Sequence, residues 1–455
     1  MEKTAKKTGV TLIYPGITES GFASRKGNEG TWINHGLCLI SAVLKKAGHE
    51  VGLIDLRRLG GWEDLAGAAE RRGRRIFGIT VMSVDYNAVT KCAEILKKKD
   101  PGAKIIVGGF HPTIAPQEFE SNPNIDHIFL GEAEITFPRV VRALGSGERV
   151  DRVIRGETPD LEELPFANRE LFEGGEEPFV AFLRPPFVTL IAGRGCAYNC
   201  RFCQPAERIM FGKQVRRRSV DNVIAELDYL RRTHNFNSMM IHDDCLTEDP
   251  DWVWRFAEGY RKNGFTQPFV CQSRPDLIVK NRKMVRELKK AGLVLLIIGF
   301  ESGSQRMLDF LRRGHTLEDS LEAAEICRRE RIKIWANYML GLPTETREEQ
   351  RETVEMIKEI KPYHCSPAYY TPHPGSDLFR YCEENRLSLI SNHDDYRRNT
   401  YNPKIKGVDY EYLDQLLRES ISVGEDQNRL TNGMKRIVPS SLKRYWKKIR
   451  GWGVR

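Results

Sequence analysis

Three cysteines lie close together near the middle of the chain, at Cys196, Cys200 and Cys203. Thiolates at this spacing on one loop can bind three irons of a [4Fe–4S] cluster and leave the fourth iron open to a non-protein ligand. A zinc site is the alternative, but a Cys3His site requires a histidine within a few residues. The nearest histidine is His234, so the spacing favours an iron–sulfur cluster.

Short apolar runs alternate with amphipathic stretches around this loop, a pattern typical of β/α units and parallel sheets. In the first part of the chain the pattern predicts strands over 10–14, 51–56, 76–81, 104–107 and 127–130, and helices over 37–46 and 86–99. Further on it predicts strands over 188–192, 238–242, 269–272, 293–300, 333–339 and 366–371, and helices over 220–234, 252–263, 280–290, 316–329 and 346–360. The cysteine loop follows the first strand of the second series.

We therefore predict an α/β protein with two sheet domains in series. The predicted divisions are a Rossmann-like parallel-sheet domain over 1–145, a linker over 146–180, a partial (β/α)6 barrel over 181–380 and a helical C-terminal region over 381–455. Both kinds of sheet bind ligands beyond the carboxyl ends of their strands.

Composition narrows the class of function. The chain has 455 residues and a net charge of +9, but eight of its Lys and Arg residues, with no acidic residue, fall within 434–455. The remainder is nearly neutral, so we expect no nucleic-acid partner. No apolar run reaches the about 18 residues of a membrane span. The N-terminal residues do not resemble a secretion signal, so we expect a cytoplasmic protein with reduced thiols.

The motif C-x3-C-x-aromatic-C, with Phe202 as the aromatic residue, directly follows the first predicted barrel strand. In this the chain resembles the radical S-adenosylmethionine (SAM) superfamily. The resemblance implies that SAM chelates the open iron and is reductively cleaved to methionine and a 5′-deoxyadenosyl radical. It also implies an electron donor such as flavodoxin or ferredoxin. The sequence does not indicate a catalytic side chain.

Other barrel strand ends resemble their counterparts in that superfamily. The resemblance implies cofactor contacts from Asp243, Asp244, Arg274, Glu301, Ser302 and Gly341. The two aspartates could equally cap a helix. A purely structural Glu301 would be a buried carboxylate without an evident partner, which favours a functional role. After the sixth strand, residues 373–376 resemble the family's Pro-Gly-Thr sequence, with Ser376 in place of threonine.

The first domain resembles the cobalamin-binding domain that precedes the barrel in one subgroup of the superfamily. The resemblance rests on three strand-end turns, which imply cobalamin contacts from Ser83, Gly108, Gly109, Gly131 and Glu132. Small residues there allow the backbone to approach a flat macrocycle. The chain lacks the Asp-x-His-x-x-Gly motif after the first strand, and we expect that His111 does not replace it as a cobalt ligand. The domain could also hold no cofactor.

The leading hypothesis is a cobalamin-dependent radical SAM enzyme that methylates an unactivated carbon of a small-molecule or lipid substrate. The alternatives are cobalamin-dependent ring formation or rearrangement, a cobalamin-free radical SAM enzyme and, most distantly, a metal-stabilised nucleic-acid-binding module.

The basic tail predicts one further property. Leu442, Tyr445, Trp446 and Ile449 fall on one helical face, with most cations elsewhere. This pattern suits an amphipathic helix on an anionic membrane surface. It therefore predicts peripheral contact through 434–455 at the inner membrane surface. A terminal helix that packs on the barrel is the alternative.

Overall fold

A computed structural model describes residues 8–23, 33–172, 175–398 and 402–432. The described residues form two six-stranded parallel sheets, one in each half of the chain, with helices between the strands. The α/β class is thereby confirmed. The basic segment 434–455, on which the membrane prediction depends, lies outside the described residues. Within the described residues no helix is long and apolar enough to cross a membrane.

The N-terminal sheet has the strand order β2-β1-β3-β4-β5-β6. Its strands are β1 (Gly9–Tyr14), β2 (Glu50–Asp55), β3 (Ile76–Thr80), β4 (Lys104–Gly108), β5 (His127–Leu130) and β6 (Val153–Arg155). Its helices are α1 (Ile17–Ser20), α2 (His35–Lys46), α3 (Glu63–Arg72), α4 (Tyr86–Lys99), α5 (Phe110–Ile114), α6 (Gln117–Glu120) and α7 (Thr136–Ser146). From β1 the chain moves to β2 on one side, and it then crosses to β3 on the other side of β1. Ligands of such sheets bind at this switch point.

The second sheet has the order β14-β13-β12-β11-β10-β7 and forms the partial barrel. Its strands are β7 (Phe187–Leu190), β10 (Ser238–Ile241), β11 (Phe269–Ser273), β12 (Leu293–Glu301), β13 (Lys333–Leu340) and β14 (His364–Tyr369). A two-stranded antiparallel ribbon, β8 (Gly193–Arg194) with β9 (Arg216–Arg217), flanks the cysteine loop.

The helices of this half lie between the strands and after the last one. They are α8 (Ala206–Phe211), α9 (Val220–His234), α10 (Pro250–Lys262), α11 (Pro275–Lys280), α12 (Arg282–Ala291), α13 (Gln305–Phe310), α14 (Leu317–Arg329), α15 (Arg347–Ile360), α16 (Asp377–Glu384) and α17 (Tyr410–Asn432). Local signals set their starts. Ser219 caps α9 through the Asn222 amide, and Thr346 with Glu349 forms a capping box at the start of α15.

One end of the barrel is filled by apolar side chains. Val180 and Leu183, from the segment before β7, pack with Met240, Val270 and Leu295 of the strands. Dense apolar packing of this kind leaves no room for a ligand. The polar residues at the carboxyl ends of the strands are therefore confined to the other end, where the cysteine loop lies.

Candidate active site

The cysteine loop is held in a compact turn. The backbone amides of Cys203 and Gln204 both donate to the carbonyl of Cys200, over 3.1 and 2.9 Å. Half-buried Phe202 packs in an apolar cluster with Met307 and Leu311. Phe202 lies between Cys200 and Cys203 in the sequence, so its packing fixes the direction in which the loop presents these two side chains.

Two buried arginines contact the sulfur of Cys200. Nη1 of Arg313 lies 3.1 Å from Sγ and Nη1 of Arg274 lies 3.7 Å from it. The two arginines are only 6% and 5% exposed. Burial raises the pKa of the Cys196 thiol to about 12, and coordination to a metal deprotonates such a thiol. The donor set, three thiols beside two guanidinium groups, fits an anionic iron–sulfur cluster.

The spacing of the sulfur atoms argues against a single zinc ion. Tetrahedral zinc with bonds of about 2.3 Å places its sulfur ligands about 3.8 Å apart. Among the described residues, one group of three His, Cys, Asp or Glu ligand atoms has all its members within 4.8 Å of one another, and it contains no cysteine. The three sulfurs are thus spread more widely than a mononuclear site requires.

The two aspartates after β10 occupy different environments. Asp243 is buried, and its Oδ1 accepts a hydrogen bond of 2.7 Å from the backbone amide of Ala192. Its Oδ2 lies 3.3 Å from Nη1 of Arg217. Asp244 is exposed and lines an apolar cavity at this edge of the sheets. Neither caps a helix, since Asp249 caps α10. Asp243 therefore joins β7, β9 and β10, and Asp244 alone of the pair faces the cavity.

Glu301 ends β12 in an unusual backbone conformation. Its φ is +67° and the register with β13 shifts between Gly299 and Glu301. Such strain costs about 1–3 kcal/mol and is found mostly at functional sites. Contrary to the sequence argument, the carboxylate does have a partner, since Arg313 lies 3.7 Å away. Burial raises the pKa of Glu301 and the arginine lowers it.

The remaining predicted residues of the barrel differ in whether they reach the cavity. Ser302 is fully buried, with its hydroxyl 3.3 Å from that of Thr353, so the structure does not bring it to the cavity. Gly341 has φ +75° and begins a turn in which its amide donates to Glu345 over 2.7 Å. A Cβ at Gly375, in the turn after β14, would lie 3.1 Å from that of Ala206, so this turn packs directly against the helix after the cysteines.

A cavity of about 370 Å³ lies where the carboxyl ends of the two sheets face each other. Gly108, Gly109 and Gly131 line it from the N-terminal domain, and Gly193 and Asp244 from the barrel. At Gly131, with φ +76°, a Cβ would meet no atom within 4 Å. Bare backbone beside open space fits the approach of a flat macrocycle such as cobalamin.

The other predicted cobalamin residues have protein partners. The Ser83 hydroxyl lies 3.1 Å from Nδ1 of His111. His111 is fully buried, and its Nε2 lies 3.3 Å from the Glu118 carboxylate, so both ring nitrogens are engaged. Buried Glu132 forms ion pairs with Arg194 and Arg216 of the barrel's antiparallel ribbon. It lines the cavity while it joins the two domains.

The sequence analysis did not identify several residues at this site. Arg194 lies two residues before Cys196 in the sequence. Arg313 is 113 positions from Cys200 and contacts it only in the folded chain. His35 lines the cavity and bonds to Thr189 over 2.7 Å. Burial and then the neighbouring Asp244 carboxylate raise the pKa of Glu207 to about 8. The adjacency of Arg194 to the motif was the one usable signal, because the other contacts arise from the tertiary fold.

Two family models match the chain. Residues 190–357 match the radical SAM superfamily and residues 28–141 match the B12 binding domain. Both matches fall on the sheets described above, and they imply a [4Fe–4S] cluster, SAM and cobalamin as cofactors.

Similar proteins agree with this pair of domains. An uncharacterized methyltransferase of Pyrococcus horikoshii is 28% identical over 431 residues, 90% of this chain and 91% of that protein. The cytidylyl-2-hydroxyethylphosphonate methyltransferase of Streptomyces wedmorensis is 24% identical, with 82% of each chain covered. The cobalamin-dependent SAM radical enzyme OxsB, solved with aqua-cobalamin and SAM bound, shares the fold with a TM-score of 0.69 at 17% identity, over 98% of this chain and 71% of that one. The chain is therefore an enzyme of the radical SAM superfamily, in the subgroup whose members carry a B12-binding domain ahead of the radical SAM domain.

Proposed function

We propose that the protein is a cobalamin-dependent radical SAM methyltransferase that acts on an unactivated carbon. The observation that carries the proposal is the shared cavity, into which both sheets direct the carboxyl ends of their strands. Transfer between two cofactors requires both to reach one substrate atom, and a cavity lined from both domains provides that proximity.

Each group of residues has a distinct part in this proposal. Cys196, Cys200 and Cys203 hold the cluster. Asp244, Arg274, Glu301 and the turn at Gly341 hold SAM. Gly108, Gly109 and Gly131 form the cobalamin side of the cavity, and Ser83 supports this side through its contact with His111. When bound, the cluster with SAM supplies a 5′-deoxyadenosyl radical and cobalamin supplies the methyl group. Asp243 and Glu132 act as supports, because their carboxylates are engaged by the protein.

The lining of the cavity supports an apolar or amphipathic substrate. Phe110, Ile191, Met210 and Phe211 contribute apolar surface beside Asp244. Apolar walls exclude water, which protects reactive intermediates from side reactions. We include in the proposal a small-molecule or lipid substrate, an external electron donor and peripheral membrane contact through 434–455. The first domain extends past the predicted division at 145 to Arg155, because β6 pairs with β5, and the divisions at 180 and 380 belong to the proposal.

The experiment follows the methyl group and needs no substrate. Anaerobic protein loaded with cluster and cobalamin is incubated with a reductant and SAM labelled in its methyl carbon, and the corrinoid is extracted. We expect label on the corrinoid, and none on free cobalamin incubated with the same reagents in the absence of the protein. SAM that is consumed only to deoxyadenosine, with unlabelled corrinoid, would contradict methyl transfer and leave the radical SAM assignment intact.

A further inference from the structure

Three metal-binding side chains meet away from the cysteine loop. Oε2 of Glu118, on α6, lies 3.3 Å from Nε2 of His111 on α5. The same oxygen lies 2.7 Å from Nε2 of His393, which is 275 residues away in the chain. His393 begins a short 3-10 helix, His393–Tyr396, that packs on the N-terminal domain. The three ligand atoms all lie within 4.8 Å of one another.

This geometry suits one divalent first-row metal ion. Bonds of about 2.0–2.1 Å in a tetrahedral arrangement place ligand atoms about 3.3–3.4 Å apart. The 3.3 Å between Glu118 and His111 matches that value, and the 2.7 Å between Glu118 and His393 is shorter. Small rotations of the partly exposed Glu118 and His393 side chains would complete the arrangement. Two imidazoles and one carboxylate form a ligand set that zinc and ferrous iron both accept.

The surroundings orient both imidazoles toward the shared point. Ser83 contacts Nδ1 of His111, which leaves Nε2 directed at Glu118. The ring of His393 stacks on Tyr86, with centroids 4.0 Å apart and planes 19° from parallel. A hydrogen bond between Asn87 and Asn392, of 2.5 Å, holds the segment beside His393 on α4. Partners of this kind on the outer side of a ligand are typical of built metal sites.

We propose that His111, Glu118 and His393 bind a divalent transition metal, with zinc as the ion to be tested, that fastens the C-terminal segment to the N-terminal domain. The site stands apart from the cysteine loop and does not depend on the proposed methyl transfer. Its structural role follows from position, because α5 begins directly after Gly109 in the cavity wall. A metal there would fix that wall against a segment from the far end of the chain.

The alternative is a hydrogen-bonded network in which the Glu118 carboxylate accepts from both histidines and no metal binds. The test uses the full chain with its iron–sulfur cluster in place, so that the three cysteines are occupied. The protein is stripped with a chelator under conditions that preserve the iron, titrated with zinc chloride and dialysed. Elemental analysis distinguishes zinc from iron and cobalt, and zinc-edge X-ray absorption identifies the ligand atoms.

We expect one zinc per chain, with imidazole scattering and no sulfur ligand. Loss of a residue that only hydrogen-bonds to a metal ligand weakens binding by about 10–100-fold. His393→Gln and Glu118→Gln each remove a ligand and should weaken zinc binding by more than this. His234→Gln, at the end of α9, serves as the matched control and should bind as the parent does. Unchanged iron content shows that a variant is folded. Zinc below stoichiometry, sulfur ligands, or equal binding by the parent and both site variants would overturn the proposal.

Discussion

Cys200 differs from the other two cysteines of the loop because two buried guanidinium groups contact its sulfur. A buried positive charge stabilises the more negative, reduced state of a cluster more than the oxidised state. The arginines are thus expected to raise the reduction potential of a cluster bound here. Arg313 also neutralises Glu301, so it connects the cluster to the residue proposed to bind SAM.

Arg313→Gln should therefore lower the midpoint potential of the cluster. A redox titration followed by electron paramagnetic resonance measures the shift in reconstituted protein. Arg312→Gln is the control, because Arg312 is 48% exposed and pairs with Asp377 on the surface. A midpoint that stays in place or rises in the Arg313 variant, with iron retained, would show that the arginine does not tune the cluster.

At the scale of residues, chemistry encoded in short motifs could be predicted and contacts across the fold could not. Cys196, Cys200 and Cys203 follow from local spacing, and Glu301 from its place after an apolar run. The burial of Ser302 against Thr353 depends on how α15 packs, which local sequence does not encode. The contact between Arg313 and Cys200 joins residues 113 positions apart.

At the scale of elements, the antiparallel ribbon joins the two domains. Arg194 of β8 pairs with both Glu132 and Glu134, which follow β5 of the other sheet. All three side chains are nearly buried, at 11%, 3% and 5% exposure. Removal of one partner from a buried ion pair leaves the other charge buried without a compensating charge, which is strongly destabilising.

Arg194→Met should destabilise the protein by about 3–5 kcal/mol, since buried Glu134 loses its partner and Glu132 keeps only Arg216. Urea denaturation followed by intrinsic fluorescence measures the change in midpoint. Arg139→Met is the control, because Arg139 forms an ion pair with Glu157 in which both side chains are more than half exposed. Equal midpoints for the two variants would mean that the ribbon does not hold the domains together.

Gly108 lies at the end of β4 in the cavity wall, and its backbone does not adopt a positive φ. Gly108→Leu would add a side chain next to Phe129 and into space proposed for cobalamin. We expect corrinoid loading to fall severalfold with iron content unchanged, measured by absorbance and elemental analysis. Gly67→Leu, on α3 outside the cavity, should load normally. Normal loading of the Gly108 variant would place cobalamin elsewhere.

The strands and helices with strong periodicity were predictable. Helix 86–99 and strand 127–130 have the predicted bounds. The helix has a long periodic pattern, and the strand has three consecutive apolar residues after His127. Strand β6 was placed in the linker by the sequence analysis, because Val153–Arg155 is three residues long and flanked by charges. The predicted helix 280–290 falls across two helices, α11 and α12.

At the scale of the whole molecule, the basic tail makes a separate prediction. A chain truncated after Gly433 should keep its iron but lose binding to vesicles rich in anionic lipid at low salt, where electrostatic attraction is strongest. Co-sedimentation of the two forms measures this. If the full chain does not bind such vesicles, the tail has no membrane role. The alternative, a terminal helix that packs on the barrel, is then favoured.

The central claim is that one loop holds the cluster at which SAM is cleaved. Its most direct test is 5′-deoxyadenosine formation, under anaerobic conditions with a strong reductant, by the parent and by Cys196→Ala, Cys200→Ala and Cys203→Ala. Cys92→Ala is the control, because Cys92 lies buried on α4. We predict that the parent and the Cys92 variant bind iron and form deoxyadenosine, whereas each loop variant loses the product. Deoxyadenosine formation at the parent rate by any one of the three loop variants would contradict the assignment.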